Sequence, residues 1–419
     1  MDRPLARRVV LASFLVLITA AAVGIALWLR PAPSPLPDTT SQPHLLWAFE
    51  APRPGSSVAS PLVTADAVYL AAVHAHGFRL SGALYALDPE TGKLRWTFNR
   101  DGLMLATAST PLLADGRLFF GEGMHANFHC RLYALDPVSR AEVWTFGVGD
   151  HIEGRPIADA DTVYFPAGNE GLYALESKTG RRKWNFRADV HIDSTPALIG
   201  RRLFVGSGPS RKFTTMQVIC LDAANGAPVW RTPVDLPAWA TPVVEGERVF
   251  VGSGNGRLME GAKPPETPAG ALVCLNATTG AVNWTIPVPD AIFGKPVVVG
   301  ERVLFGSRDG IVYGASFDGQ VQYRIPLGSP VIAGLTSDTG LVYAVSVHGR
   351  LACIDPTAGR VLWQHELAIP GSTPHVYAAP VVAGTKLYLA TEMRLPDSSF
   401  GVVTLSRFGL PARIPGNTD

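Results

Sequence analysis

The side chains best suited to chemistry in this chain are its histidines, ten in 419 residues. Two similar hexapeptides, HIEGRP at 151–156 and HIDSTP at 191–196, each set an imidazole two residues before a carboxylate: His151 with Glu153, and His191 with Asp193. Imidazole beside carboxylate can hold a divalent transition metal, titrate near neutral pH or relay a proton. His375 stands five residues before Pro380, the interval that also separates His151 from Pro156 and His191 from Pro196. His74 and His76, His125 and His129, and His348 fall between apolar runs that read as strands.

The cysteines point away from chemistry. Cys130, Cys220, Cys274 and Cys353 include no adjacent pair and no CxxCH. The last three stand where other copies of a repeat carry alanine, and there a thiol is a small buried hydrophobe. Equivalent positions of neighbouring repeats lie beyond disulfide reach, so the thiols are expected free. The GSGNG run at 252–256 is no phosphate loop, because no helix pattern follows it.

The elements that must position the histidines form that repeat. ALYALDPETGKLRWTF at 83–98 reads as a β-hairpin. Apolar residues alternate on either side of Asp88-Pro89-Glu90-Thr91-Gly92, where Pro presets the turn and Gly accepts positive φ. Copies stand at 131–146, 171–186, 217–232 and 271–286, with weaker ones at 311–325 and 350–365. A strand-built repeat of about 40–50 residues indicates a propeller or a β-solenoid.

Each hairpin supplies two outer strands, C and D. An inner strand A is expected after a proline at 60–63, 110–113, 155–158, 195–198, 241–244, 295–298, 329–332 and 379–382. Strand B is expected at 68–71, 118–121, 163–166, 203–206, 249–252, 303–306, 342–345 and 387–390. The last unit has a strand C at 401–406 and no D, whereas LLWAF at 45–49 is a D strand with nothing before it. The expected fold is therefore an all-β, eight-bladed propeller of four-stranded antiparallel blades over 45–406, closed by its N-terminal strand, with a tail at 407–419. Closure removes the open edge a row of sheets would leave. The D-strand aromatics, Trp47, Trp96, Trp144, Trp184, Trp230, Trp284, Tyr323 and Trp363, are expected to dock between blades.

In this topology the D–A and B–C loops share one face, which collects eight of the ten histidines. His151, Glu153, His191 and Asp193, with His125, His129 and His375, are the candidate binding residues of the channel mouth. A solvated polar rim, a metal or small-ligand site and a catalytic centre are the three readings, with the metal left open. The same face carries long loops at 253–270 and 207–216. Leu258 and Met259 in the first, and Arg211 and Lys212 in the second, are candidate partner contacts.

The N-terminus is of another kind. Residues 1–8 are basic, and 9–29 form an uncharged apolar run of 21 residues, long enough to span a bilayer as a helix. Basic residues before it favour a cytoplasmic N-terminus and an external propeller. A signal peptide cleaved near Ala20-Ala21-Ala22 is the competing reading, but the apolar run continues to Leu29. Residues 30–44 read as a stiff Pro-rich linker. A net charge of +1 offers no electrostatic case for nucleic acid.

The A-strand proline, aromatic strand B, LYALD, TG turn and D-strand Trp resemble the repeats of the pyrroloquinoline quinone (PQQ) propeller superfamily across 45–406. The resemblance implies an eight-bladed ring and two functional branches. One is the quinoprotein dehydrogenases; the other is the BamB-like, non-enzymatic scaffolds of outer-membrane protein assembly. Several dehydrogenases carry a disulfide between adjacent cysteines beside the quinone, and some add haem at CxxCH; this chain has neither motif. The favoured expectation is a BamB-like scaffold with no catalytic residue and no cofactor, binding envelope proteins. It would be held at the inner (cytoplasmic) membrane by 9–29, with the ring on the periplasmic or extracellular side. A PQQ- and calcium-dependent dehydrogenase and a metal or small-ligand sensor are the alternatives.

Overall fold

The computed structural model describes residues 42–411, apart from 77–78, 126, 188, 259–264, 368–370 and 395–400. The chain divides into two units, Met1–Thr39 and Thr40–Asp419. The first unit, which holds the expected membrane helix at 9–29, lies outside the described residues, as do Met259 and most of the C-terminal tail. No helix among the described residues is long and apolar enough to cross a membrane.

Strands carry the second unit. Six separate four-stranded antiparallel sheets form blades 2 to 7, at 112–147, 157–186, 197–233, 243–288, 297–326 and 336–366. Blade 1 (62–98) and blade 8 (381–409 with His44–Ser56) share one nine-stranded sheet. Eight hydrophobic clusters follow the same order, each made by two consecutive blades, the last by blades 8 and 1. The fold is a propeller.

The turn residues explain why the hairpins form. Asp88 Oδ1 accepts hydrogen bonds from the amides of Glu90 (3.0 Å) and Thr91 (2.8 Å), closing an Asx turn. Asp136, Asn276 and Asp355 do the same in their blades. Gly92 takes φ +69°, as the turn demands, and a second constraint falls on it. A β-carbon there would lie 2.5 Å from the Trp47 ring. At five blade boundaries the indole of one blade lies on the turn of the next. Its Nε1–H donates to the carbonyl after the turn's first polar residue: Trp47 to Pro89, Trp144 to Ser177, Trp184 to Ala223, Trp230 to Ala277 and Trp284 to Phe317. The Tyr323 hydroxyl makes the same bond to Pro356. Trp363 is buried against blade 8, where chain ends replace a turn. Trp96 faces a different turn: the glycine position is Arg140, at φ +65°.

The ring closes as the repeat count requires. Strand Gly401–Gly409 pairs with His44–Ser56, with Trp47 opposite Arg407 and Phe49 opposite Leu405. Arg407 Nη1 also reaches into blade 1, donating to the Pro89 carbonyl at 2.7 Å and to Glu90 Oε2 at 2.9 Å. The strand runs three residues past the expected end at 406.

Two placements differ from the sequence reading. Blade 7 begins its inner strand at Thr336–Asp338, not at 329–332. Pro330 lies much further ahead of its strand B (Leu341–Val345) than Pro296 does of Arg302–Gly306, so the proline belongs to the preceding loop. His74 and His76 lie on strand Val68–His76 rather than in a loop, because this B–C hairpin extends to the pair His76 and Arg79.

Three outcomes test this packing. Trp184→Ala, which removes a buried indole and its hydrogen bond, lowers stability by roughly 3–5 kcal/mol in a denaturant titration. Arg140→Gly relieves a left-handed backbone, raising stability by about 0.5–1 kcal/mol in the same titration. The hydrogen bond and charge of Arg407 hold the Glu90 pKa below its usual value. A depressed carboxylate stabilises the fold above its unfolded pKa and loses that effect as pH falls through the folded value. Arg407→Ala therefore destabilises more at pH 7 than at pH 3, as melting curves at the two pH values would show.

Candidate functional site

The propeller axis is a cavity of about 940 Å³ lined by the inner strands and the loops that lead into them. The fourth residue before each inner strand projects into it: Val58, Ala108, Glu153, Asp193, Trp239, Phe293, Ile332 and Tyr377 in blade order. Six of these are apolar or aromatic, and Val58, Phe293, Ile332 and Tyr377 pack into one cluster. The two acids are neighbours, on blades 3 and 4. Two residues after Glu153 and Phe293, on the loops of blades 3 and 6, come Arg155 and Lys295, also in the cavity wall. Burial lowers the pKa of each, and for Lys295 the charge of Arg155 adds to the effect.

The histidines of blades 2 to 4 gather at the two acids. Asp193 Oδ1 lies 3.0 Å from His151 Nε2, and Oδ2 lies 2.7 Å from His191 Nε2 and 3.4 Å from His125 Nε2. The three rings are packed together, His125 stacked on His151 at 4.8 Å between centroids. Each Nδ1 has its own acceptor. His125 Nδ1 lies 2.6 Å from Glu153 Oε1, which also takes the His125 amide. His191 Nδ1 lies 3.2 Å from Asn169 Oδ1. His151 Nδ1 is 2.7 Å from Asp150 Oδ1, off the line of a directed hydrogen bond, so that contact is mainly electrostatic. Asn169 Nδ2 donates to Asp150 Oδ2, which fixes the amide's orientation and ties the second layer together.

His151 and His191 are each 2% exposed, so the centre of this cluster is not a wet rim. Burial works against charging His151, but Asp150 and Asp193 outweigh it and push its pKa up to about 10. Burial likewise opposes ionising Asp193, and His151 and His191 still hold its carboxyl well below the usual carboxylate range. The Glu153 hydrogen bond raises the pKa of His125. The donor set available to an ion is three imidazoles and one carboxylate, His125, His151, His191 and Asp193.

Other candidates fall elsewhere. His129 is exposed on the same loop as His125, with φ +56°, and is not among the ring contacts of the cluster. His375 is buried in blade 8 beside His348, ring centroids 6.0 Å apart. His74 is buried, with Nε2 at 2.7 Å from the Tyr85 hydroxyl, and burial lowers its pKa. Arg211 and Lys212 are exposed, Lys212 lying over the Phe213 ring. Gly256, Arg257 and Leu258 line the cavity, so the long blade 5 loop reaches the channel mouth. The four cysteines are free and buried.

Sequence reasoning missed Asp150, Asn169 and Trp239, whose ring meets His191 edge-on at 6.1 Å. Trp239 stands three residues before Pro242, as Glu153 and Asp193 stand before their prolines, and that alignment could have found it. It also missed Phe128 and Leu103, 62% and 74% exposed, an aromatic and an aliphatic residue on loops of the same face.

Comparison with known proteins places this geometry in a family. The PQQ_2 model, described as "Outer membrane protein assembly factor BamB", matches residues 40–127, 129–207, 189–262 and 266–392. Outer membrane protein assembly factor BamB of Vibrio cholerae serotype O1 is 27% identical over 143 residues, 30% of this chain and 35% of that protein. The match thus spans about a third of that relative's length. BamB from Moraxella catarrhalis superposes with a TM-score of 0.63 at 15% identity, covering 90% of this chain and all of that one. Quinohemoprotein alcohol dehydrogenase from Comamonas testosteroni gives 0.62 at 14% identity, covering 91% of this chain and 78% of the enzyme, a likeness of fold alone. With its repeats matched over most of the propeller, the chain belongs to the PQQ_2 family of BamB-like β-propellers.

Proposed function

We propose that this protein is a non-catalytic scaffold of the cell envelope that binds protein partners through the face carrying the D–A and B–C loops. The carrying observation is the blade 5 loop, which brings exposed Leu258 to the channel mouth. Phe128 and Leu103 add exposed apolar surface on loops of the same face, and exposed apolar loop residues suit a protein interface. Family membership supports envelope partners. The apolar run at 9–29 supports an inner-membrane anchor with the ring on the periplasmic or extracellular side. Quinone and calcium play no part in this reading.

The test is site-specific photocrosslinking in membranes. Probes at Leu258, Phe128 and Leu103 capture a defined envelope protein. A probe at Val138, exposed in a C–D turn on the opposite face, does not. Deleting 257–268 lowers the yield by at least about tenfold, equivalent to roughly 1.4 kcal/mol. Equal capture from Val138 would refute the loop face, and dye reduction with an alcohol after adding PQQ and calcium would replace the scaffold by the dehydrogenase. Deleting 9–29 releases the propeller from the membrane fraction; retention would refute the anchor.

A further inference from the structure

We propose that His125, His151, His191 and Asp193 form a site for one divalent first-row transition ion of the zinc, nickel or copper class. The inference stands independently of the scaffold reading.

Three observations carry it. First, all three Nε2 atoms converge on the Asp193 carboxylate, while each Nδ1 faces a separate acceptor on Glu153, Asp150 or Asn169. Metal-binding histidines are oriented in this way: one nitrogen is held by a carboxylate or carbonyl oxygen, and the other points at the ion. A hydrogen-bonded polar rim has no need for three rings to share one acceptor.

Second, the chemistry of the set is selective. Imidazole nitrogen with one carboxylate oxygen suits zinc, copper or nickel, whereas magnesium and calcium take sites built from oxygen. The four ligand atoms lie within 4.8 Å of one another. Tetrahedral Zn–N bonds of about 2.0–2.1 Å need separations of roughly 3.4 Å, so the atoms must close by on the order of 1 Å. The His125 side chain is 65% exposed on its loop and can supply that movement against the fixed pair His151 and His191.

Third, charge and access agree. Asp150, Glu153 and Asp193 bring three carboxylates to three rings, so an ion that displaces the imidazole protons leaves the charge of the cluster balanced. His125 and Asp193 line the cavity, which gives an ion an entry path.

The test uses the full chain in detergent, stripped with a chelator and dialysed. Calorimetry with zinc, nickel and copper is expected to give about one ion per chain, and cobalt(II) to give visible ligand-field bands. His191→Ala abolishes the bands and weakens zinc binding by at least about 100-fold. Asp150→Asn, which removes an orienting acceptor, weakens it by about 10–100-fold. His129→Ala, on the same loop as His125 but outside the cluster, leaves it unchanged. Should His191→Ala fail to fold, His125→Ala alters only an exposed side chain and must show the same loss of bands. Absent cobalt bands, or equal zinc affinity in wild type and His125→Ala, would overturn the site.

Discussion

The propeller depends on one contact made at five of its eight blade boundaries: an indole lying on the turn glycine of its neighbour. A β-carbon on Gly180, Gly226, Gly280 or Gly319 would stand 2.5–2.9 Å from the ring atoms of Trp144, Trp184, Trp230 or Trp284. Glycine is held there twice, by positive φ and by the ring above it. The residue opposite each indole across strands C and D is correspondingly small. Ala86, Ala134, Ala174, Cys220, Cys274 and Cys353 face the D-strand tryptophans Trp96, Trp144, Trp184, Trp230, Trp284 and Trp363, and Gly314 faces Tyr323. A β-carbon on Gly314 would lie 2.1 Å from the Tyr323 ring. The tyrosine copy thus works because its partner lost a side chain, and the three cysteines are explained by size.

Closure converts these contacts into a fixed frame. The N-terminal strand completes blade 8 by main-chain pairing, while Trp47 and Arg407 both seat on the blade 1 turn at Pro89. Once the ring is shut, loops from consecutive blades stand side by side at the axis. Histidines far apart in sequence then meet around one carboxylate. No single repeat contains that cluster; it exists only because blades 2, 3 and 4 are held in register.

Much of this was legible beforehand, for identifiable reasons. The hairpins have period-two patterning and turn residues with a mechanism, and the unpaired LLWAF segment had one place to go. The pairing of HIEGRP with HIDSTP followed from their equal distance to a proline in adjacent repeats. What escaped were features set by neighbours rather than by the repeat. Blade 7 starts late because its proline serves a loop. His74 and His76 sit on a strand because the first B–C hairpin is long, pairing out to His76 and Arg79. Burial of His151 and His191 was not readable, since loop sequences look polar whether or not the loops pack on one another. Asp150 and Asn169 were invisible as partners because their contact depends on the bridge that pairs Gly168 with Ile192.

The same histidine position has different fates around the ring, and the reason lies two residues away. His151, His191 and His375 each stand six residues before an inner strand. On blades 3 and 4 the residue projecting into the channel is Glu153 or Asp193, and the imidazoles acquire charged partners. On blade 8 it is Tyr377, whose ring lies 6.4 Å from that of His375 at a tilt of 32°. An imidazole held between carboxylates gains the anionic partners that favour its charged form. Docking constrains the outer strands, where blades 1 to 7 each set a small residue opposite the aromatic ring and most turns carry a glycine. It leaves the axial position free, and that position has diverged to an apolar arc and an acidic pair. Chemistry on this ring is therefore decided by a residue the repeat does not need for folding.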